Sequence, residues 1–332
     1  MSVVEGMMRP ETYDEHVDCI NLIQTHISWV FLTGQYAYKV KKPVDFGFLD
    51  FTTLEKRKHF CEQEVLLNRR FRNDMYLGVL PITKDNGRMR INGQGDVAEY
   101  CVKMREMPQE ALLSNRLRTG RVNKDMVEEI AKIVAEFHSS AQTGGEIDQG
   151  GSMETIRFNW DENFEQTREF IGITLSHEIF DSVSDKVSLY LSKSRRLLDR
   201  RIREGRIRDC HGDLQSNNIF VTDRTYVFDC IEFNTRFRYS DVAADIAFLA
   251  MDFDYHKRQD LSAHFVDRYI AYSSDNEIQM LLPFYECYRA YVKGKVTSFR
   301  LNDKGISAGE KDIAQRTARE FFDLSFTYAQ QL

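Results

Sequence analysis

Residues 209–229 read Asp209-Cys-His-Gly-Asp213-Leu-Gln-Ser-Asn-Asn218-Ile-Phe-Val-Thr-Asp-Arg-Thr-Tyr-Val-Phe-Asp229. Two short apolar runs, 219–222 and 225–228, flank the turn dipeptide at 223–224, and this pattern predicts a β-hairpin. Antiparallel pairing across the turn would place Asn218 and Asp229 side by side at its open end. Asp213 lies on the segment that leads into the first strand. The pattern therefore brings three oxygen-bearing side chains towards one place.

Asp213, Asn218 and Asp229 have the chemistry that magnesium-dependent phosphoryl transfer requires. Mg²⁺ binds hard oxygen ligands and keeps waters and phosphates as its other ligands. Asn218 and Asp229 are therefore candidate metal ligands, and Asp213 is a candidate base for the proton of an incoming hydroxyl group. Ordinary turn-forming Asp and Asn residues explain these positions less well, because all three would have to lie at strand ends by coincidence.

His211-Gly212-Asp213, followed by Asn218, resembles the catalytic loop of the aminoglycoside phosphotransferase family, a branch of the protein-kinase-like fold. The segment 240–247, Ser-Asp-Val-Ala-Ala-Asp245-Ile-Ala, is similar to the family's G-D-P-x-x-D-L-A, with Ser and Val in place of Gly and Pro. The resemblance implies that Asp213 is the catalytic base, that Asn218 and Asp229 hold the metal, and that His211 braces the loop. It also implies that Asp245 supports the loop from a helix.

The remaining periodicity predicts an α+β protein with two lobes. Strands are expected at 26–32, 36–41, 76–81, 88–91 and 98–104, with helices at 11–24 and 53–70. After residue 108 the pattern is mainly helical, at 126–140, 154–203 and 241–332, apart from the hairpin. We therefore expect a β-rich lobe at 1–106 and a helical lobe at 107–332, and the family resemblance implies that the first is the nucleotide-binding lobe and the second the catalytic and substrate-binding lobe.

A kinase-like N-terminal lobe needs a strand lysine that holds phosphates and a helix glutamate that fixes this lysine. Tyr-Ala-Tyr-Lys39 resembles the V-A-I-K pattern, which favours Lys39. Lys41 lies two residues further on, so it shares the same face of the strand. Two glutamates of the following helix are candidates for the partner: Glu62 matches the family pattern better, and Glu64 is the alternative.

The phosphate-binding turn is the least typical part of the pattern. Residues 25–28, Thr-His-Ile-Ser28, contain no glycine, so the hydroxyl or amide of Ser28 is the candidate phosphate contact. By analogy with the family, the adenine would lie against the backbone of 105–107, which makes Arg105 and Met107 candidate nucleotide-binding residues.

The composition of the chain limits the classes of partner that we expect. The chain has 332 residues, of which 42% are hydrophobic, and its formal net charge is −6, so we expect no nucleic-acid partner. The first fifteen residues are polar rather than signal-like, and no apolar run could span a membrane, so we expect a cytoplasmic protein without a membrane partner. The six cysteines contain no Cys-x-x-Cys pair, which indicates reduced thiols. The sequence does not indicate an oligomeric state.

Eleven residues separate Asp229 from Asp241, too few for the activation segment with which a protein kinase docks a peptide. The acceptor is therefore expected to be a small molecule, recognised by the segment 158–203, with Trp160, and by Asp252 and Asp254. The sequence predicts a phosphotransferase that uses ATP and Mg²⁺ and acts on an alcohol group. The alternatives are a nucleotide-binding regulatory module without turnover, that is, a pseudokinase, and a protein kinase.

Overall fold

The structure is a computed structural model that describes residues 2–71, 74–303 and 305–332. Its strands are β1 (Asn21–Gln24), β2 (Ser28–Leu32), β3 (Tyr36–Lys41), β4 (Tyr76–Asp85), β5 (Arg88–Ile91), β6 (Asp96–Arg105), β7 (Ile207–Asp209), β8 (Ile219–Val221), β9 (Thr225–Val227) and β10 (Tyr239–Asp241). Its α-helices are α1 (Val3–Met7), α2 (Leu54–Asn68), α3 (Leu113–Arg118), α4 (Lys124–Ser140), α5 (Met153–Thr167), α6 (His177–Arg203), α7 (Thr235–Arg238), α8 (Val242–Tyr255), α9 (Gln259–Ser273), α10 (Ile278–Phe299) and α11 (Ala308–Ala329).

The chain divides into two compact units. The N-terminal unit comprises Met1–Arg116 and Asn217–Thr235, and the C-terminal unit comprises Leu117–Ser216 and Arg236–Leu332. This division differs from the predicted boundary at 106/107, because the hairpin segment 217–235 packs with the N-terminal unit. The N-terminal unit is therefore formed by two separate segments of the chain.

The N-terminal unit is built on a six-stranded sheet in the order β1-β2-β3-β6-β4-β5, in which all neighbouring strands are antiparallel. Helix α2 begins after Thr53, whose hydroxyl accepts a hydrogen bond from the amide of Lys56 and caps the helix. Cys61 and Val65 of α2 pack with Ala37 of β3 in one apolar core. The sheet and α2 therefore share buried side chains, and the helix packs mainly over β6 and β4.

The predicted helix at 11–24 is wrong. Pro10–Thr12 forms only a 3-10 turn, and Asn21–Gln24 is strand β1, which pairs with β2 from Asn21↔Leu32 to Gln24↔Trp29. The short apolar spacing of this segment is compatible with either structure, and pairing with the edge of β2 decides in favour of the strand.

The hairpin β8–β9 is present, but its register differs by one residue from the prediction. Ile219 pairs with Val227, and the amide of Phe228 donates to the carbonyl of Asn218 at 3.0 Å. Asn218 is therefore opposite Phe228 rather than Asp229, because the loop contains three residues instead of two. Phe220 and Tyr226 of the hairpin belong to the same apolar core as α2, which explains why the hairpin packs with the N-terminal unit.

The C-terminal unit is helical apart from the strand pair β7–β10, in which Tyr239 pairs with Asp209. Helix α8 is buried along almost its whole length, from Val242 to Phe253, so it is the central helix of this unit. The buried guanidinium of Arg201 donates to Asp241 at 2.7 and 2.8 Å and to Asp275 at 2.6 Å. This ion group fixes the end of α6 to the beginning of α8.

Candidate active site

Five charged side chains of the N-terminal unit form one continuous series of ion pairs, here called the lysine–carboxylate chain. Lys39 donates to Asp229 at 2.6 Å and to Glu64 at 2.8 Å. Lys41 donates to the second oxygen of Glu64 at 2.8 Å and also to Glu232. The order is therefore Asp229–Lys39–Glu64–Lys41–Glu232, and Glu64 in the middle has no exposed surface.

Opposite charges outweigh burial at the centre of this chain. Burial alone would lower the pKa of Lys39, but Asp229 and Glu64 raise it well above its ordinary value. Burial raises the pKa of Glu64, yet the two lysines bring it below its ordinary value. At Glu232 the balance is reversed: burial and the charge of Glu64 raise its pKa despite the attraction of Lys41. Both lysines and Glu64 are therefore charged at neutral pH.

Glu62, the preferred sequence candidate for the partner of Lys39, does not contact it. Its side chain is 53% exposed and lies 3.9 Å from Lys58 one turn away on the same helix. Successive residues of a helix are about 100° apart, so positions 62 and 64 face nearly opposite directions and only one of them can face β3. The structure places Glu64 there, and the prediction of Glu62 is corrected accordingly.

The segment 229–232 is fixed to the N-terminal unit at three points. The amide of Asp229 donates to the Tyr76 hydroxyl at 3.1 Å, and the amide of Cys230 donates to the side chain of Asn68 at 2.9 Å. Lys41 holds Glu232, as described above. Asp229 has φ 62°, a left-handed conformation that costs a non-glycine residue about 1–2 kcal/mol. These contacts maintain that conformation and leave the Asp229 side chain 42% exposed.

Asn218 and Asp229, the predicted metal ligands, both belong to the N-terminal unit and lie at the open end of the hairpin. The Asn218 side chain ends in an amide oxygen and that of Asp229 in a carboxylate, and these are ligand types that Mg²⁺ accepts. Half-exposed Asp229 is accessible to a metal that also carries phosphate and water ligands. The residues present thus fit a magnesium site, in which Asn218 and Asp229 would hold the ion.

Ser28 does not occupy the position that was predicted for it. Its side chain is completely buried at the start of β2, so its hydroxyl does not face solvent, where a phosphate could reach it. The amides of Ile27 and Ser28 donate to the hydroxyl of Thr25 at 3.3 and 2.9 Å. The turn 25–28 is therefore closed by its own threonine, and two amides that a glycine-rich loop would offer to phosphates are already engaged.

Arg105 and Met107 line a cavity of about 580 Å³ within the N-terminal unit, a volume in the usual range for small-molecule sites. The amides of Arg105 and Glu106 donate to the carbonyls of Met75 and Gln35. Within the described ranges, the amide of Met107 donates to no protein acceptor. The cavity walls also include Tyr36, Asp74, Leu77, Thr222, Asp223, Arg224 and Tyr226.

In the C-terminal unit, the loop that carries Asp213 is fixed by Asp245 of α8. The two carboxylate oxygens of Asp245 accept the amides of His211 and Gly212, each at 2.9 Å, and one oxygen also lies 3.0 Å from Nε2 of His138. Burial raises the pKa of Asp245, but His138 outweighs it, and the pKa lies well below its ordinary value. Asp245 thus braces the loop from a buried helix, as the motif predicts.

Other contacts complete the support of this loop. Gly212 has φ 84°, which a residue with a side chain rarely adopts, and its carbonyl accepts from Arg289 at 3.1 Å. Nδ1 of the buried His211 accepts the amide of Asp213 at 3.2 Å. The amide of Ser216 donates to Asp252 at 2.8 Å, so Asp252 supports the loop and is not part of the predicted acceptor surface.

Trp160, which was predicted to contact the acceptor, lies in the core, and Asp254 already has a protein partner. Trp160 is 1% exposed within an aromatic core, and Asp254 accepts from the Tyr328 hydroxyl at 2.6 Å. Within the segment 158–203, Glu162 and Asn159 instead lie on a partly exposed face, where both accept hydrogen bonds from Arg236.

His138, Cys210 and Asp245 place potential metal-ligand atoms within 4.8 Å of one another. Both ring nitrogens of His138 are engaged, with Asp245 and with the Tyr269 hydroxyl at 2.7 Å. Burial and the charge of Asp245 raise the pKa of the Cys210 thiol well above its ordinary value, so the thiol is protonated. This buried group therefore serves to brace the loop and does not suit a metal.

Several supporting residues carry no local sequence signal. Tyr76 and Asn68 hold the amides of residues 229 and 230 from distant positions in the chain, and Asp252 holds the Asp213 loop from another helix. Glu232, by contrast, lies only three residues after Asp229 in the sequence.

Comparisons with known proteins agree with this fold. The chain resembles the crystal structure of a choline/ethanolamine kinase family protein from Mesorhizobium loti, with a TM-score of 0.53, 10% identity, and 94% and 92% of the two chains covered. It resembles a candidate aminoglycoside phosphotransferase from Ralstonia eutropha with a TM-score of 0.53, 14% identity, and 99% and 97% of the two chains covered. The predicted α+β, protein-kinase-like fold is confirmed.

The sequence profile of the phosphotransferase enzyme family matches residues 92–284. The chain belongs to this family, as the motifs predicted. Uncharacterized proteins of Mycobacterium tuberculosis and Mycobacterium bovis are 34% identical to it over 301 residues, which is 90% of this chain and 58% of each relative. The chain thus spans a little more than half the length of these relatives. Among the described residues, no helix is both long and apolar enough to cross a lipid bilayer.

Proposed function

We propose that this chain is a kinase that transfers a phosphoryl group from ATP, with Mg²⁺, to a hydroxyl group of a small molecule. The observation that carries the proposal is the buried Lys39–Glu64 pair next to Asp229. This is the arrangement that a kinase uses to hold nucleotide phosphates and their metal. A merely structural role explains it poorly, because an apolar pair would fill the same space at lower desolvation cost.

Each residue then has a defined task. Asn218 and Asp229 hold Mg²⁺, which when bound neutralises charge on the transferring phosphoryl group. Lys39, oriented by Glu64, contacts the phosphates with its ammonium group. The cavity at 105–107 receives the adenine, with the Met107 amide as a donor to the base. Asp213 accepts the proton of the acceptor hydroxyl, and His211 and Asp245 keep its loop in shape.

An acceptor screen tests this function. Purified protein is incubated with Mg·ATP and a panel of hydroxylated metabolites, amines and sugars, and ATP consumption is measured. We expect at least one acceptor, and Asp213→Ala should bind ATP as the wild type does while losing turnover. Equal turnover in wild type and Asp213→Ala would reject Asp213 as the base.

A nucleotide-binding module without turnover is the second candidate, and the turn 25–28 favours it. The amides of Ile27 and Ser28 are engaged by Thr25, so fewer donors are available for phosphates. A thermal-shift titration with ATP, with and without Mg²⁺, followed by a long ATP hydrolysis assay, separates the two candidates. Binding without hydrolysis and without any acceptor would favour the module. Labelled ATP incubated with cell extract would reveal a protein kinase, which the short 229–241 connection disfavours.

A further inference from the structure

The side chain of Gln215 lies between two charged groups of the C-terminal unit. Its Nε2 donates to both carboxylate oxygens of Asp213, at 2.8 and 2.9 Å. Its Oε1 accepts from the ammonium group of Lys293 at 2.9 Å. One amide therefore links the residue proposed as the base to a lysine eighty positions later in helix α10.

The two charges determine the orientation of this amide. An amide presents two donors on nitrogen and an acceptor on oxygen, whereas a carboxylate only accepts and an ammonium group only donates. If the amide were reversed, its oxygen would face the Asp213 carboxylate and its NH₂ group would face Lys293. Both contacts would then be repulsive. Lys293 thus selects the orientation in which Gln215 donates to Asp213.

Helix α10 supports the loop at two points one turn apart. Arg289 donates to the Gly212 carbonyl at 3.1 Å and to the Ala244 carbonyl at 2.9 Å. Lys293 follows four residues later, so both cations lie on the same helix face. The ammonium group of Lys293 also lies 5.5 Å from the centre of the Phe321 ring of α11, which limits its freedom. Arg289 holds the backbone of the loop, and Lys293 holds one of its side chains.

We propose that Lys293 is a positioning residue for phosphoryl transfer and that it acts on Asp213 through Gln215. The proposal rests on the proposed function, in which Asp213 accepts the proton of the acceptor hydroxyl. A carboxylate that accepts from one amide through both oxygens is held in a defined orientation. The Gln215 amide therefore fixes the direction in which the Asp213 carboxylate faces, and thus the direction from which it would accept a substrate proton.

Steady-state kinetics of four variants test the proposal with the acceptor that the screen identifies, or with water as acceptor. Lys293→Met and Gln215→Leu should each lower kcat by about 10- to 100-fold, the usual effect of a misplaced catalytic group, with KM for ATP nearly unchanged. Lys293→Arg should retain most of the activity, because it can still donate to Oε1. The matched control is Lys132→Met, which removes an exposed lysine of α4.

A double variant distinguishes linked action from two independent effects. If Lys293 acts through Gln215, then Lys293→Met combined with Gln215→Leu should be no slower than the slower single variant. Multiplicative losses, or wild-type kcat in Lys293→Met, would overturn the inference and leave the proposed function intact. Equal melting temperatures of the variants would exclude loss of folded protein as the cause.

A measurement without turnover separates this inference from the proposed function. The side-chain amide signals of Gln215 in a ¹H–¹⁵N NMR spectrum report its hydrogen bonds directly. Lys293→Met should shift these signals and Lys132→Met should leave them in place. If the wild-type protein has no turnover at all, the proposed function fails. Whether or not there is turnover, unchanged Gln215 signals in Lys293→Met would refute the link between Lys293 and Gln215.

Discussion

The buried carboxylate of Glu64 lies 2.8 Å from the ammonium group of Lys39, and no part of the Glu64 side chain reaches solvent. Burying two charges is costly, and only their mutual attraction and further hydrogen bonds offset the cost. Glu64 obtains both, because its second oxygen accepts from Lys41. Removing one partner would leave an uncompensated charge in the core, so this pair is open to a direct test.

Glu64→Gln and Glu62→Gln form a matched pair on one helix. We expect Glu64→Gln to lower the free energy of unfolding by about 3 kcal/mol, because it leaves two buried lysines with one fewer carboxylate. Glu62→Gln changes an exposed side chain and should stay within about 0.5 kcal/mol of wild type. Urea denaturation measures both values, and calorimetric titration with Mg·ATP should give weaker binding for Glu64→Gln only. Equal effects of the two changes would contradict the assignment of Glu64.

Asp245→Asn should destabilise the loop that carries Asp213. The carboxylate accepts two backbone amides and a histidine, so we expect a loss of about 3 kcal/mol. The pKa of Asp245 is lower in the folded protein than in the unfolded chain, so its contribution is complete above the unfolded pKa of about 3.9 and is lost as pH falls further. The stability difference from wild type should therefore shrink below about pH 4.

The control for this change is Asp267→Asn, which alters an exposed carboxylate of α9. Chemical denaturation of the three proteins between neutral and acidic pH provides the comparison. A constant difference between wild type and Asp245→Asn down to pH 2 would show that the charge of Asp245 is not what stabilises the fold.

The pKa of Lys295 leads us to expect that the stability of the protein also depends on pH in the alkaline range. Its ammonium group is buried in the C-terminal unit and donates to the amide oxygens of Asn163 and Gln166 at 2.6 and 2.7 Å. Burial lowers its pKa to about 8, and Arg236 adds to this effect while Glu162 opposes it. Between about pH 8 and pH 10.4 the unfolded chain binds more protons at this site, so stability due to Lys295 rises with pH.

The measurement compares wild type with Lys295→Met at several pH values. We expect wild type to gain up to about 3 kcal/mol relative to the variant between pH 8 and pH 10.4. Tyrosine titrations affect both proteins equally and cancel in the difference. Lys132→Met, which removes an exposed lysine, should show no such change, and a flat difference for Lys295→Met would contradict a lowered pKa.

Asp229→Asn tests the proposed metal site. The change keeps the size of the side chain but removes the charge that pairs with Lys39 and that we propose as a ligand of Mg²⁺. In wild type we expect ATP to raise the melting temperature more with Mg²⁺ than with EDTA. In Asp229→Asn the two shifts should be equal, because the metal-dependent part of binding is lost. A Mg²⁺-dependent shift that survives in the variant would locate the metal elsewhere.

Local patterns predicted those parts of the fold that depend on neighbouring residues. Strand β3 was predicted at 36–41 and lies there, and α4 was predicted within two residues of its start, since alternation and helical spacing are properties of short segments. The resemblance of the segment 240–247 to the family motif also indicated the bracing role of Asp245. Resemblance to a family supplied the remaining roles.

Contacts between residues that are distant in sequence account for the sequence predictions that were wrong. The sequence pattern favoured Glu62 over Glu64, and only the orientation of α2 on the sheet shows that Glu64 is the partner of Lys39. Ser28 was expected to face a ligand, but the pairing of β2 with β3 places it opposite Lys41 in the buried part of the sheet. Glu232, Asn68 and Lys293 contact their partners across 78 to 191 positions of sequence, over which no pattern was visible.

Lys41 has a consequence for the protonation of the site. If Lys39 turns from Asp229 towards a phosphate, Glu64 would become a buried anion with less counter-charge, and such groups normally take up a proton. Lys41 donates to the other oxygen of Glu64 and would keep this contact if Lys39 moved, so it would remain as a counter-ion. Glu64 can then keep its charge throughout. Nucleotide binding would thus exchange partners at Lys39 without proton uptake at Glu64, and the proton released from the acceptor hydroxyl would have Asp213 as its destination.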